Sequence, residues 1–239
     1  MAGNNWTGTD DADRYVGSGD DDTLDGGRGD DEILAGAGND TIEGGRGNDI
    51  IYGGQGNDVI TDEDVDVTDQ WSDSGQKLYG EGGNDTITGG GQIYGGDGDD
   101  VITHTDGRGS IDGGEGDNTI EIDGSYSINR VSTGSGDDTI TISDVDQYVS
   151  SIQSGGGDDI LNLDDAVWGQ IQTGDGSDSV ALDGDWDRTS DTWDWDSISL
   201  GGDDDTISLG DWSGNLDRNH AVYGNDGDDT YIGRDVTKT

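Results

Sequence analysis

The chain has 239 residues, of which 27% are hydrophobic, and it contains 47 Gly but no Pro, Cys or Phe. Ten Lys and Arg stand against 56 Asp and Glu, which gives a formal net charge of −46. Nucleic acid and anionic lipid are excluded as expected direct partners because both would be repelled. The lack of Cys excludes disulfides and thiolate zinc sites, and no apolar run is long enough to insert into a membrane.

Low hydrophobicity with high net charge is also typical of disordered chains, which bury too little apolar surface to offset chain entropy. Two features argue against simple disorder. The acids are 50 Asp and only 6 Glu, and Asp is the acid of turns and of hard-cation ligation. The Asp residues also recur in phase with Gly and aliphatic residues. We therefore expect a fold that requires a counter-ion.

A nine-residue pattern, Gly-Gly-x-Gly-x-Asp-x-U-x with U aliphatic, recurs without a break over residues 17–61. Two neighbouring copies read GGRGNDIIY from Gly44 and GGQGNDVIT from Gly53. Each copy has Asp at its sixth position and Leu or Ile at its eighth. The sixth positions of the five copies are Asp22, Asp31, Asp40, Asp49 and Asp58.

After an insert over residues 62–79, the pattern returns over residues 80–239 with roughly twenty residues between most copies. The early part therefore has one Gly-rich loop per nine residues, and the later part keeps about every second loop. The sixth positions of the later copies are Asp85, Asp100, Asn118, Asp138, Asp159, Asp178, Asp205 and Asp229.

These spacings predict an all-β solenoid in one domain, with residues 1–16 as an N-terminal cap. A six-residue loop and a three-residue strand make half a coil, so two nonapeptides make one coil. A second aliphatic column precedes each later loop by two residues. Each coil would give two facing strands around a thin aliphatic core, and coils would stack in parallel at about 4.8 Å. The second column is Leu78, Ile93, Ile111, Val131, Ile152, Ile171, Ile198 and Val222.

GGRGNDIIY and GGQGNDVIT resemble the repeats-in-toxin (RTX) family, whose nonapeptides form a right-handed parallel β-roll, a two-sided β-helix, around calcium. Thirteen copies in phase carry the resemblance. The family implies that each Ca²⁺ lies between loops one coil apart, bound by sixth-position side chains and by carbonyls of the Gly-rich turn. The implied turn residues are Gly27, Gly29, Gly36, Gly38, Gly45, Gly47, Gly54, Gly56, Gly96, Gly98, Gly114, Gly116, Gly134, Gly136, Gly155, Gly157, Gly174 and Gly176.

The residue types suit this role. Ca²⁺ takes six to eight oxygen ligands, Gly permits the positive φ that turns carbonyls inward, and Asp is short enough to reach an ion from the end of the loop. We expect two alternating rows of sixth-position residues in the first part and one row afterwards, in which Asn118 is a weakened member. About ten ions would supply roughly +20 and leave the protein strongly anionic.

Trp-rich segments stand where the later coils have lost their second loop. They contain Trp168, Trp186, Trp193, Trp195 and Trp212. Two interpretations remain open. The Trp side chains form a row that binds a surface glycan or another protein of a larger assembly, or they cap the side or end of the solenoid.

Other residues are expected to be structural. His104 and His220 have no catalytic partner motif and are expected in surface loops. Tyr52, Tyr79, Tyr94 and Tyr223 share an aliphatic-Tyr-Gly step and are expected to be a feature of the repeat.

No Gly-x-Ser-x-Gly, His-Glu-x-x-His or phosphate-binding loop occurs, so we expect no enzyme. The expected function is an extracellular, calcium-binding structural or adhesive module at a cell or virion surface. The alternatives are a virion decoration or fibre protein and a carbohydrate-binding accessory module of a polysaccharide-modifying enzyme. The first residues lack a conventional signal peptide, and the ending GRDVTKT is too short for a type I secretion signal. We expect either a fragment or another export route, such as lysis with a virus.

Overall fold

The computed structural model describes residues 3–62, 75–125, 127–145, 148–164, 168–183, 197–209 and 221–233. Within these ranges the chain forms strands and loops without any helix, so none there could cross a bilayer. The strands are β1 Asn5–Thr7, β2 Arg14–Val16, β3 Thr23–Asp25, β4 Glu32–Ala37, β5 Thr41–Glu43, β6 Ile50–Gln55, β7 Val59–Asp62, β8 Lys77–Gly82, β9 Thr86–Asp97, β10 Val101–Glu115, β11 Thr119–Asp123, β12 Ser127–Ser132, β13 Thr139–Ser143, β14 Val149–Gly156, β15 Ile160–Asp164, β16 Trp168–Asp175, β17 Ser179–Asp183, β18 Ser197–Gly202, β19 Thr206–Leu209, β20 Ala221–Tyr223 and β21 Thr230–Ile232.

The strands stack as a parallel β-solenoid with two sheets. Each strand pairs in parallel with the strand one coil further along, as β3 does with β5 and β4 with β6. The first sheet contains β1, β3, β5, β7, the starts of β9 and β10, and then the odd-numbered strands to β21. The second sheet contains β2, β4, β6, β8, the ends of β9 and β10, and then the even-numbered strands to β20. The predicted all-β solenoid is confirmed.

The coil length follows the repeat. Equivalent residues of the first coils are 18 positions apart, as Asp22 and Asp40 are, which is two nonapeptides. The coil that contains the insert is longer, with 27 positions between Asp58 and Asp85, and the next coil has only 15. The insert lies between β7 and β8, and the shortening lies within β9 at residues 89–91, where the strand passes from the first sheet to the second.

The core consists of two aliphatic columns, one from each sheet. Alternation along a strand points every second side chain inward, and the inward side chains are at most 2% exposed. The column of the first sheet is Leu24, Ile42, Ile60, Ile87, Ile102, Ile120, Ile140, Leu161, Val180 and Ile207, and that of the second sheet is Ile33, Ile51, Leu78, Ile93, Ile111, Val131, Ile152, Ile171 and Ile198.

The interior next to these columns changes chemistry along the solenoid. In the early coils it is lined by loop Gly and by Asp. In the later coils, where that loop is lost, the same register positions hold aliphatic side chains that are at most 6% exposed. In the later coils, aliphatic side chains therefore occupy the interior that the Gly-rich loop lines in the early coils. The later residues are Ile122, Ile142, Leu163 and Leu182 from the first sheet and Ile128 and Val149 from the second.

His104 lies at the transition between these two kinds of coil. It pairs with Gly89 before it and Ile122 after it in the first sheet, and its side chain is fully buried. Its Nδ1 lies 2.8 Å from the Ser125 hydroxyl. The prediction of a surface loop was wrong because the residue continues an inward position of β10. His220 is outside the described residues.

Aromatic side chains stack with the strand repeat. Tyr52, Tyr79 and Tyr94 lie on the outer face of the second sheet, with centroids of neighbouring rings 4.7 Å apart. They are therefore the repeat feature that the sequence predicted. At the start of the solenoid, Trp6 stacks on Tyr15 at 4.6 Å, and both rings pack against the core.

Candidate metal centre

Sixth-position residues form a continuous hydrogen-bonded row on one edge, which we call the first row. The backbone N–H of each residue donates to Oδ1 of the equivalent residue one coil further on, at 2.7–3.2 Å. The predicted arrangement in rows is present along this edge. Its members are Asp22, Asp40, Asp58, Asp85, Asp100, Asn118, Asp138, Asp159, Asp178, Asp205 and Asp229.

A second row occupies the other edge of the early coils. The Asp13 N–H donates to Asp31 Oδ1, and the Asp31 N–H donates to Asp49 Oδ1, both at 2.7 Å. The first loop of this row, residues 8–13, was not recognised in the sequence because GTDDAD keeps only the first Gly of the pattern. Its signal was the spacing, since Gly8 precedes Gly26 by one coil.

In most of these residues the other carboxylate oxygen, Oδ2, has no hydrogen-bond partner, whereas in Asp13 and Asp22 it accepts from Thr9 and Ser18. Oδ2 is buried and unpaired in ten Asp residues of the two rows. A buried carboxylate oxygen without a donor is costly, so ten of them in register call for an unseen positive partner. The ten residues are Asp31, Asp40, Asp49, Asp58, Asp85, Asp100, Asp138, Asp159, Asp178 and Asp205.

Asn118 shows what surrounds this oxygen. Its Nδ2 takes the place of Oδ2 and donates to the carbonyls of Gly114 at 3.3 Å and Gly116 at 3.0 Å, the second and fourth residues of its loop. Where Asp replaces Asn, a carboxylate oxygen faces those carbonyl positions and no proton lies between them. The loop then presents three oxygens to one point, which suits a hard cation.

Two stacked loops would supply six such oxygens, the lower end of the range that Ca²⁺ prefers. Most of the ligands would be backbone carbonyls. This agrees with the finding that no three acidic or histidine side chains of the described residues converge as a metal cluster. The backbone turns its carbonyls to this point through positive φ, as at Gly54 (114°) and Gly56 (125°).

Burial raises the pKa of the row carboxyls whose Oδ2 is unpaired. The pKa of Asp58 and of Asp100 rises to about 7, and that of Asp49, Asp138 and Asp178 to about 6. Desolvation is the largest cause, and neighbouring carboxylates add to it. Without a cation these groups resist ionisation near neutral pH, and their charge opposes folding.

Side-chain cations of the described residues are absent from the first row and its sheet. All six described Lys and Arg belong to the second sheet or to the loops of the second row. The first row therefore needs an external cation to balance its charge. The six residues are Arg14, Arg28, Arg46, Lys77, Arg108 and Arg130.

The residue before each sixth position forms a separate, exposed ladder. The Asp158 N–H donates to Asp137 Oδ1 at 2.8 Å, and the Ser177 N–H donates to Asp158 Oδ1 at 2.9 Å. This ladder runs in the opposite direction to the first row, and its side chains point to solvent. Neighbouring acids of one loop thus have different environments.

A family model for the RTX calcium-binding nonapeptide repeat matches residues 7–42, 25–60 and 122–141. These segments are RTX repeats. No curated protein and no solved structure matches the chain. The RTX repeat binds Ca²⁺, and the buried Oδ2 atoms of this chain fit that ion. The match includes Asp13 and its loop, which lie in the first matched segment.

The structure does not describe most of the Trp-rich segments, in contrast to the two rows. Trp186, Trp193, Trp195 and Trp212 lie outside the described residues. Trp168 lies in β16, where it pairs with Val149 of β14.

Replacing Asp159 with Asn should weaken calcium binding at the two adjoining sites, because an amide donor would enter the place of Oδ2, as in Asn118. Loss of one charged ligand should cost about 1.5–3 kcal/mol, which is about tenfold or more in the affinity of the affected sites, and it should raise the calcium concentration at the folding midpoint. A calcium titration followed by circular dichroism measures this. Asp158→Asn in the same loop is the control, and equal effects of the two changes would contradict the assignment.

Replacing Asn118 with Asp should have the opposite effect. The new Oδ2 would face the carbonyls that now accept from Nδ2, and the first row would become continuous. We expect at least one further bound ion in native mass spectrometry and a lower midpoint calcium concentration. Asp117→Asn tests the neighbouring exposed position, and an unchanged ion count in Asn118→Asp would refute this role of Asn118.

Proposed function

We propose that the protein is a non-catalytic structural module of the cell exterior, whose solenoid forms when calcium fills the two rows. The observation that carries the proposal is the set of ten buried, unpaired Oδ2 atoms in register. Along the first row no Lys or Arg of the described residues balances this charge, since those side chains lie on the second sheet and in the loops of the second row. Calcium is thus the main stabiliser of an edge that has little hydrocarbon.

The exterior location is supported by the family and by the chemistry of the ion. RTX repeat proteins are typically secreted. Extracellular calcium modules bind with dissociation constants of about 10⁻⁴–10⁻³ M, so a module of this kind folds after it reaches calcium-rich surroundings. Export of an unfolded, strongly acidic chain followed by folding outside is consistent with a composition of 47 Gly and a net charge of −46.

We also propose that the module is adhesive and that its partner, a surface glycan or another protein, meets the Trp-rich segments. The solenoid gives a rigid scaffold, and loops on rigid scaffolds are frequent carriers of binding. Five of the seven Trp fall in the segments that interrupt the later repeats. A virion decoration or fibre role and an accessory role in a polysaccharide-modifying enzyme are specific forms of the same proposal.

Calcium dependence is tested by far-UV circular dichroism. The chain should give a largely disordered spectrum in chelator and a β-rich spectrum in millimolar Ca²⁺. Mg²⁺ should substitute poorly because it demands a smaller octahedron and holds its water. A folded spectrum that does not change on chelation would refute the proposed function.

The adhesive role is tested on a glycan array and by pull-down with surface fractions, with the calcium-loaded protein. Replacing Trp186, Trp193, Trp195 and Trp212 with Ala should abolish partner binding and leave the calcium titration nearly unchanged. Tyr223→Ala removes an exposed aromatic ring from β20 of the second sheet and should keep binding. Collapse of the calcium-bound fold in the Trp variant would instead identify these residues as caps.

A further inference from the structure

The second row ends at Asp49 in an unusual way. The strand of the next coil, β8, stacks on β6, and the Lys77 N–H donates to the Asp49 carbonyl at 2.8 Å. The residue before Lys77 therefore takes the place that a sixth-position Asp would have. This residue is Gln76, and its side chain is 1% exposed.

A second departure from the repeat lies beside it. Asp62 is the last residue of β7 and stands at the place where the earlier loops of this edge begin with Gly26 and Gly44. A loop-initial Gly has no side chain to direct inward, whereas Asp62 has a carboxylate that is 1% exposed. The chain has thus put an acid into the interior at the coil where the second row stops.

The carboxylates of Asp62 and Asp49 converge on the same backbone position. A Cβ built on Gly44 would lie 2.7 Å from Asp62 Oδ2 and 2.9 Å from Asp49 Oδ2. Both oxygens therefore lie over one side of Gly44. Two carboxylates this close repel each other unless a cation or a proton lies between them.

Gln76 completes the group. Its Nε2 donates to the Asp62 carbonyl at 3.2 Å, which holds the amide beside Asp62. Its Oε1 is buried and has no hydrogen-bond partner, and the same is true of Asp49 Oδ2. Two unpaired, fully buried oxygens thus accompany the Asp62 carboxylate, and all three belong to residue types that ligate Ca²⁺.

We propose that Asp49, Asp62 and Gln76 form a terminal calcium site that closes the second row. The site rests on the proposed calcium-binding function, but its ligand set differs from that of the repeat, because side chains from two non-repeat positions replace the missing loop. Two carboxylates balance the charge of one Ca²⁺. The carbonyls of the Asp49 loop are available as further ligands, as the Asn118 loop shows for the equivalent positions.

No side chain of the neighbouring strand can replace the ion. Lys77 follows Gln76 directly, and alternation along β8 places it on the outer face, next to Ile50 and Gln92. A proton shared between the two carboxylates is the alternative to the ion, and it would leave the number of bound ions unchanged when Asp62 is altered.

The test compares Asp62→Asn and Asp62→Gly with Glu43→Gln, all in saturating Ca²⁺. Gly is compatible with this position because Gly44 and Gly89 occupy it in the coils before and after. Glu43→Gln removes one charge from the exposed face of β5 and should keep every ion. Native mass spectrometry counts the ions, and circular dichroism follows folding.

Both Asp62 variants should fold, bind one ion fewer than the wild type and require more calcium at the folding midpoint. An unchanged ion count in both would overturn the terminal site and identify a shared proton or a purely structural acid. Failure of both to fold would also overturn it, because the first row is untouched and the loss should be local. Wild-type protein that binds no calcium would instead refute the proposed function itself.

Discussion

The structure depends on an electrostatic constraint along the first row that none of the described Lys and Arg side chains meets. Most coils contribute one Asp to the row and bury its Oδ2 against backbone carbonyls. The Oδ1 of the same carboxylate already accepts a hydrogen bond from a backbone N–H of the neighbouring coil. The backbone ladder fixes the position of Oδ2, and the fixed Oδ2 has no donor. A divalent cation satisfies the oxygens of two loops at once, so the same ion links consecutive coils and neutralises them.

The two edges of the solenoid differ in how far their rows of buried carboxylates extend. The first row runs the length of the described solenoid, whereas the second row ends after Asp49. Beyond it, Ile122, Ile142 and Val149 fill the interior that loop residues line earlier. Burial of a side chain of this size contributes about 1.5–3 kcal/mol, so a wider aliphatic core can replace a metal-bound turn. The proposed function therefore assigns metal to both edges of the early coils, and to one edge of the later coils with hydrocarbon at the other.

The periodic part of this account was predictable from the sequence. Strict spacing of Asp and of the aliphatic residue two places later defined the strands, the inward columns and the two rows, because a parallel solenoid repeats its register in every coil. Departures from the period were harder to predict. Asp13 was missed because its loop lacks most of the Gly signal, and His104 was misplaced because a polar residue at an inward position resembles a loop residue. The roles of Asp62 and Gln76 depend on which segments the register brings together, and single-residue patterns do not contain that information.

A crystal structure grown in calcium, with anomalous scattering data, tests the central claim most directly. The account predicts strong peaks in a line along the first row, each at about 2.3–2.6 Å from Asp Oδ2 and from carbonyls of the Gly-rich turn, with weak or missing density beside Asn118. Peaks scattered over exposed acids such as Asp137 and Asp158, with no ion beside the buried Oδ2 atoms, would contradict it.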